Sequence, residues 1–210
     1  MIYKNDVALK MAGYLLETKA VKLSPKDLFT WASGIKSPIY CDNRITLSFP
    51  AIRKFIRDRF ADIIRDNFNP DVIAGVATGG IAQGALVADI LELPFAYVRT
   101  SRKDHGLTNM IEGKIEPGQK VVVVEDLIST GKSSLEVVAA LREAGCVIEG
   151  MVAIFTYNIP AATKAFENTN CKLITLSDYD ILAEQAVATH YISPDDLEVL
   201  TAFKAQLANK

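Results

Sequence analysis

From residue 50 onward, short β-branched runs alternate with amphipathic helical stretches. That alternation restricts the chain to an α/β architecture, in which helices cover both faces of a mostly parallel central sheet. Ile52, Phe55, Ile56, Phe60, Ile63 and Ile64 recur at helical spacing, which predicts an amphipathic helix over 50–68. The runs "DVIAGVA", "FAYVR", "VVVVED", "VIEGMVAIFTY" and "CKLITL" read as strands, and "IAQGALVADIL" and "SSLEVVAALREAG" as helices, the latter closed by Gly145. A last helix starts with Ser193 as cap, Pro194 at its first position, and Asp195 and Asp196 at its positive end. Residues 1–45 break the pattern. They read as a helix ("MAGYLLETKAV"), a loop and a short strand, forming a small N-terminal hood over one sheet edge. Residues 46–210 form the core, and the two make one compact unit.

Composition narrows the function. The 210 residues carry a net charge of −2, too balanced for a nucleic-acid binder that relies on a basic surface. Cys41, Cys146 and Cys171 are widely spaced with no CxxC pair, which reads as reduced thiols in a cytoplasmic protein. Two histidines exclude a His-rich metal cage. No apolar run is long enough for a membrane span, and "MIYKNDVALKM" lacks a signal-peptide core.

Chemistry concentrates in "VVVVEDLISTGKSS", residues 121–134. Ligands of open α/β sheets bind beyond the carboxyl ends of the strands, where this run delivers Glu125 and Asp126. Two adjacent carboxylates there call for a divalent cation or a sugar diol. Ser129, Thr130, Gly131, Lys132, Ser133 and Ser134 then lead into a helix, whose N-terminal amides and hydroxyls suit a phosphate. Either half alone is an ordinary strand end or helix cap. Together they describe a ribose 5-phosphate site. A nucleoside-triphosphate P-loop is excluded, because the position needing its first glycine is Asp126. "GVATGGIAQG", residues 75–84, offers a second strand-to-helix junction, where Gly79 and Gly80 would let the backbone approach a ligand. Residues 99–113 gather Arg99, Arg102, Lys103 and His105, with Gly106 and Gly113 as soft points, which reads as a cationic mobile loop.

In this order, "FTWASGIKSPIYCDNR", "RTSRKDHGLTNMIEG" and "VVVVEDLISTGKSS" resemble the orotate phosphoribosyltransferases, of the type I phosphoribosyltransferase fold. The resemblance runs from about residue 10 to about residue 190. It implies transfer of the phosphoribosyl group from phosphoribosyl pyrophosphate (PRPP) to N1 of orotate, giving orotidine 5′-monophosphate and pyrophosphate in UMP biosynthesis. It implies that Glu125 and Asp126 hold the ribose hydroxyls, that Ser129, Thr130, Gly131, Lys132 and Ser133 hold the 5-phosphate, and that Leu127 and Ile128 also belong to the PRPP site. Thr78 and Gly79 would meet pyrophosphate. Arg99, Lys103 and His105 would grip it from the loop, reaching the neighbouring subunit of a homodimer. Mg²⁺ is implied as cofactor, bound mainly through substrate oxygens. Lys103, Asp126 and Glu125 are the implied catalytic residues.

Three positions where many family members have a basic residue hold Ala32, Thr100 and Tyr157 here. Orotate therefore needs other contacts. Tyr40, Asp42 and Arg44 alternate onto one face if their segment is extended, so Tyr40 could stack on the base. Arg44 or Lys36 could meet the carboxylate; Arg44 could equally be an ion pair with Asp42. Ser129 would hydrogen-bond the base, as the resemblance implies. Two alternatives remain: a phosphoribosyltransferase for uracil or a purine, and a ligand-sensing regulator on the same fold. The regulator would need a nucleic-acid surface that this charge balance does not supply.

Overall fold

A computed structural model describes residues 1–31, 34–99 and 110–208. In chain order the elements are α1 (Asn5–Glu17), β1 (Val21–Leu23), β2 (Phe29–Thr30), β3 (Lys36–Ser37), β4 (Ile39–Cys41), a 3-10 helix (Asn43–Ser48), α2 (Pro50–Asn67), β5 (Val72–Val76), α3 (Gly79–Leu91), β6 (Phe95–Val98), β7 (Ile111–Glu112), β8 (Lys120–Ile128), α4 (Lys132–Glu143), β9 (Val147–Thr156), α5 (Pro160–Asn168), β10 (Leu173–Asp178), α6 (Tyr179–Ala188) and α7 (Pro194–Ala208). Six strands form the central sheet in the order β10-β9-β8-β5-β6-β7, with only β7 antiparallel to its neighbour.

Strand alternation sorts the core into two layers. Val122 and Val124 of β8 pack with Ile73, Val152, Ile154, Ile174 and the buried faces of α1, α2 and α6. Val121 and Val123 point the other way, with Val72, Ala74, Met151 and Ala153, onto Val137, Val138 and Leu141 of α4 and Phe166 of α5. A run of four valines is what a strand buried on both faces demands. Ile52, Ile56, Phe60, Ile63 and Ile64 are buried in α2, as their spacing predicts, with Pro50 at its start. Ser193 and Asp196 bond reciprocally at the start of α7: the Ser193 amide donates to Asp196 Oδ2 (3.1 Å) and the Asp196 amide to Ser193 Oγ (3.3 Å).

Several sequence expectations need correction. β8 does not end at the carboxylates. Its ladder with β9 continues through Leu127 and Ile128, and Tyr157 N donates to Ile128 O at 3.0 Å. α1 starts earlier than expected, at Asn5, while Val21 already belongs to β1. Residues 111–112 are sheet rather than loop, pairing with Tyr97 and Val98, and Met110 is buried beside them. The boundary between 45 and 46 falls inside the 3-10 helix. α5 and α6 are helices beyond those the periodicity predicts; α6 is capped by Asp178, which accepts from Ile181 N at 3.0 Å.

The strand order positions the site. From β5 the chain crosses through α3 to β6 on one side. β8, on the other side of β5, leads through α4 and α5 to β9 and β10. The order in which strands are added therefore reverses between the parallel neighbours β5 and β8, and the crevice beyond their carboxyl ends is where such sheets bind ligands. Glycines bring the two junctions together there. A Cβ on Gly80 would strike the Val124 carbonyl, and one on Gly75 would lie 2.8 Å from Gly80 O. Gly75 sits in β5 rather than in a loop, and Gly79 and Gly80 open α3. Their smallness lets α3 start directly against β8.

Candidate active site

Strand alternation sends Glu125 and Asp126 to opposite faces of β8. Glu125 follows Val121 and Val123 toward α4 and is 5% exposed. Ser134 Oγ donates to its Oε2 at 3.0 Å, and the Asp126 amide donates to its Oε1 at 2.9 Å. Asp126 follows Val122 and Val124 toward α3, and a Cβ on Gly79 would collide with its carboxylate. The Asp126 side chain is thus packed against the positive N-terminus of α3. From the N-terminal region, Asn43 Nδ2 donates to the Asp126 carbonyl at 2.6 Å.

A cavity of about 340 Å³ opens in front of this strand end. Thr78 and Gly79 line one side, Glu125, Asp126 and Leu127 the floor, and Ser129, Thr130, Gly131, Ser133 and Ser134 the other side. Gly131 has φ of 78°, a conformation that favours glycine, and a Cβ there would come 2.7 Å from the Phe166 ring. That left-handed residue turns the chain off β8 into α4, so the first amides of α4 and the hydroxyls around them face one space. One end of the cavity is anionic and hydrogen-bond accepting. The other is a helix N-terminus furnished with hydroxyls, which favours an anion.

Burial raises the Glu125 carboxyl well above the usual carboxylate range, and the neighbouring Asp126 charge raises it further. Burial also raises Asp126, opposed by its hydrogen bond with Glu125 and by the Arg44 cation. Burial therefore favours the protonated form of both carboxyls, and most strongly that of Glu125.

In the N-terminal segment the structure shows the local geometry of Tyr40, Asp42, Arg44 and Lys36. The extended stretch stops at Cys41, and Asp42 caps the 3-10 helix by accepting from Arg44 N at 3.2 Å. Tyr40, Asp42 and Arg44 therefore do not share one continuous extended face. Arg44 forms a two-pronged pair with Asp42, Nε–Oδ1 2.7 Å and Nη2–Oδ2 3.0 Å, while remaining 57% exposed at the side chain. Tyr40 is exposed on β4, its ring 5.9 Å from that of Phe29. Lys36 Nζ donates to Thr30 Oγ1 at 2.7 Å. Tyr157 is buried at the end of β9 against Trp31, Phe155 and Tyr179.

Other expected site residues lie apart from the cavity. Ile128 is fully buried among Val137, Val138 and Phe166, so only its backbone faces the turn. Lys132 is exposed in the first turn of α4 and is not part of the cavity wall. Arg99 pairs with Glu112 at 3.7 Å. Lys103, His105, Thr100 and Ala32 lie outside the described residues. Sequence reading missed Asn43 and the Ser134–Glu125 bond. For Mg²⁺, the paired carboxylates are hard oxygen donors of the right kind. Among the described residues no cluster of three or more metal-binding side chains joins them, so substrate oxygens and water would complete such an ion's shell.

A paired-carboxylate strand end and a hydroxyl-lined turn at the switch point of a mostly parallel sheet are features of a phosphoribosyltransferase domain, and the phosphoribosyl transferase domain family matches residues 45–185. The orotate phosphoribosyltransferase of Porphyromonas gingivalis is 55% identical over 195 residues, 92% of this chain and 93% of that protein. That of Listeria innocua is 53% identical over 200 residues, 95% of this chain and 96% of that one. The chain belongs to the orotate phosphoribosyltransferase family. Among solved structures, the orotate phosphoribosyltransferase of Aeropyrum pernix superposes with a TM-score of 0.75 at 26% identity, covering 87% of this chain and 99% of that one. Leishmania donovani UMP synthase superposes with a TM-score of 0.78 at 25% identity; this match covers 94% of this chain but 42% of that longer protein.

The protonated Glu125 has a consequence for stability. The folded protein holds this proton more tightly than an unfolded chain does, so the group stabilises the fold fully in acid. Its contribution falls as pH rises from the usual carboxylate range through the raised value. Glu125→Gln, neutral at every pH, should gain stability relative to wild type as pH rises toward neutrality, and the gain should shrink in acid. Urea unfolding of both proteins across that range is the check; a difference independent of pH would show that Glu125 titrates normally.

Proposed function

We propose that this chain transfers the 5-phosphoribosyl group of PRPP to orotate, forming orotidine 5′-monophosphate and pyrophosphate in pyrimidine biosynthesis. The carrying observation is the convergence of Asp126 and Glu125 with the 129–134 turn in one cavity, on a chain at 53–55% identity to orotate phosphoribosyltransferases along almost its whole length. The cavity fits a sugar phosphate lying with its hydroxyls on the carboxylates and its phosphate at the start of α4.

In the reaction, orotate N1 forms a bond to ribose C1 while the bond from C1 to pyrophosphate oxygen breaks, and the electron pair leaves with pyrophosphate. No side chain becomes covalently attached. Asp126, ionised and pressed against α3, offsets positive charge developing on the ribose ring. Glu125 gives up its proton when donor hydroxyls bond to the pair. Ser129, Thr130, Ser133 and the turn amides fix the 5-phosphate and so the attack geometry. Thr78 and Gly79 stand where the backbone meets pyrophosphate. Bound Mg²⁺ supplies positive charge to the leaving pyrophosphate, with Asp126 and Glu125 the described carboxylates that could contact it. For orotate, Arg44 is a cation held by Asp42 beside the site, with Lys36 as the second candidate for its carboxylate. Tyr40 and Ser129 are the base contacts. No described helix is long and apolar enough to cross a membrane, and the three cysteines are free, in keeping with a cytoplasmic enzyme.

Orotate consumption, followed by its ultraviolet absorbance, should require PRPP and Mg²⁺. Asp126→Asn should lower turnover at least about tenfold, or about 1.4 kcal/mol of barrier, in a folded protein. Uracil should be a far poorer acceptor, because it lacks the carboxylate that Arg44 or Lys36 would contact. Equal rates with uracil, or a fully active Asp126→Asn, would refute the reading.

The same reading places the 99–113 segment across a homodimer, with Lys103 and His105 completing the neighbour's site. Lys103→Ala and Asp126→Asn subunits, mixed under exchange, should then recover activity towards about a quarter of wild type, because half the random pairs hold one intact pocket. Inactive heterodimers, shown by mass spectrometry to have formed, would place the segment in its own subunit's site.

A further inference from the structure

Asn43 is 1% exposed and ties together two parts of the chain 83 residues apart. Its position answers a backbone problem. The β5–β8 ladder stops at Gly75 and Val124, because β5 ends at Val76 and the chain turns into α3. β8 continues to Ile128 with β9 on one side only. On the other side the Asp126 carbonyl lies beyond the reach of β5, in a part-buried place where an unpartnered carbonyl is costly. Asn43 Nδ2 supplies the missing donor at 2.6 Å. Its amide is itself held in orientation. Cys41 Sγ donates to Asn43 Oδ1 at 3.3 Å, and Thr46 Oγ1 donates to the Asn43 carbonyl at 2.6 Å.

We infer that Asn43 is a positioning residue: by holding the Asp126 peptide, it aims the Asp126 carboxylate and joins the acceptor-side segment to the donor site. The inference rests on the proposed role of Asp126. The carboxylate has little room for error, since it lies so close to Gly79 that a single added carbon there would collide with it. Freeing the carbonyl lets the exposed side of the β8 end shift and misdirect the charge meant for the ribose ring. Asn43 lies between Cys41 and Arg44, so any movement of the segment on which Tyr40 and Arg44 sit is passed through it to Asp126. Cys41 acts one step further back, by fixing which way the Asn43 amide faces.

The test is steady-state kinetics and thermal unfolding of Asn43→Ala, Asn43→Asp, Cys41→Ala, Cys41→Ser and the Asn43→Ala/Cys41→Ala double variant, with Asp126→Asn in parallel. Asn43→Ala should lower kcat about tenfold and raise either KM by a smaller factor, because the charge it aims matters most in the transition state. Asn43→Asp keeps the volume but loses the N–H donor, so it should lower kcat at least as much; it decides the matter if Asn43→Ala fails to fold. Cys41→Ala should lower kcat by a smaller factor, about two- to threefold, and add nothing on the Asn43→Ala background, since its effect passes through Asn43. Cys41→Ser restores a donor and should recover that loss. Folded Asn43 variants with wild-type kcat and a lowered melting temperature would overturn the inference, leaving Asn43 as a plain structural bond. Additive Cys41 and Asn43 effects would overturn the relay through Asn43. If Asp126→Asn is itself fully active, the failure belongs to the proposed role of Asp126 and the inference falls with it.

Discussion

Two carboxylates side by side at the buried end of a strand cost free energy, and most of the site is arranged around that cost. Desolvation and mutual repulsion both oppose ionising the pair. The protein answers on each face of β8 separately. Ser134 and the Asp126 amide bond to Glu125, while Asp126 takes the N-terminus of α3 and the nearby Arg44 cation. Glycines at 79 and 80 are required because α3 begins directly against the strand, where a side chain would collide with the Asp126 carboxylate or the Val124 carbonyl. Burial favours the protonated form of Glu125, so ionising it as pH rises toward neutrality costs stability; in the proposed reaction the negative charge of the pair offsets the positive ribose ring.

The rest of the cavity follows from where the order of strand addition reverses. Because β5 and β8 are neighbours but lead to opposite edges, their two strand-to-helix junctions open onto one crevice. One junction brings α3 and its glycines; the other brings Gly131, the hydroxyls and α4. The described residues supply anion-binding amides and negative charge but little free positive charge, since Arg44 is paired with Asp42 and Arg99 with Glu112. A pyrophosphate leaving group needs cations from elsewhere, which is the place that Mg²⁺ and the 99–113 segment occupy in the proposed mechanism.

The α/β class was legible because strand and helix periods are local properties, and four valines in a row have few other uses. The donor side was legible for the same reason: Glu125, Asp126 and the 129–134 turn are contiguous, and their chemistry survives without knowing the fold. Arg44 was ambiguous because its choice between a ligand and Asp42 depends on whether the backbone stays extended, and Asp42 ends the extension by capping a helix. Asn43 left no signal, since its partner is a carbonyl 83 residues away that lacks a donor only because β5 stops short. Ser134 looked like one more phosphate-site hydroxyl; only the two-sided display of β8 turns it onto Glu125. The glycines at 75 and 80 suggested a ligand loop, whereas much of their purpose is helix-to-strand contact.

The central claim is that the donor's ribose hydroxyls bind Asp126 and Glu125 and draw off the proton that burial favours on Glu125. Calorimetric titration of PRPP in two buffers of different ionisation heat, near neutral pH, measures protons released per donor bound. Wild type is expected to release more than Glu125→Gln, which has no such proton to lose, and to bind the donor more tightly. Equal proton release with undiminished affinity in Glu125→Gln would place the ribose away from these carboxylates and contradict the claim.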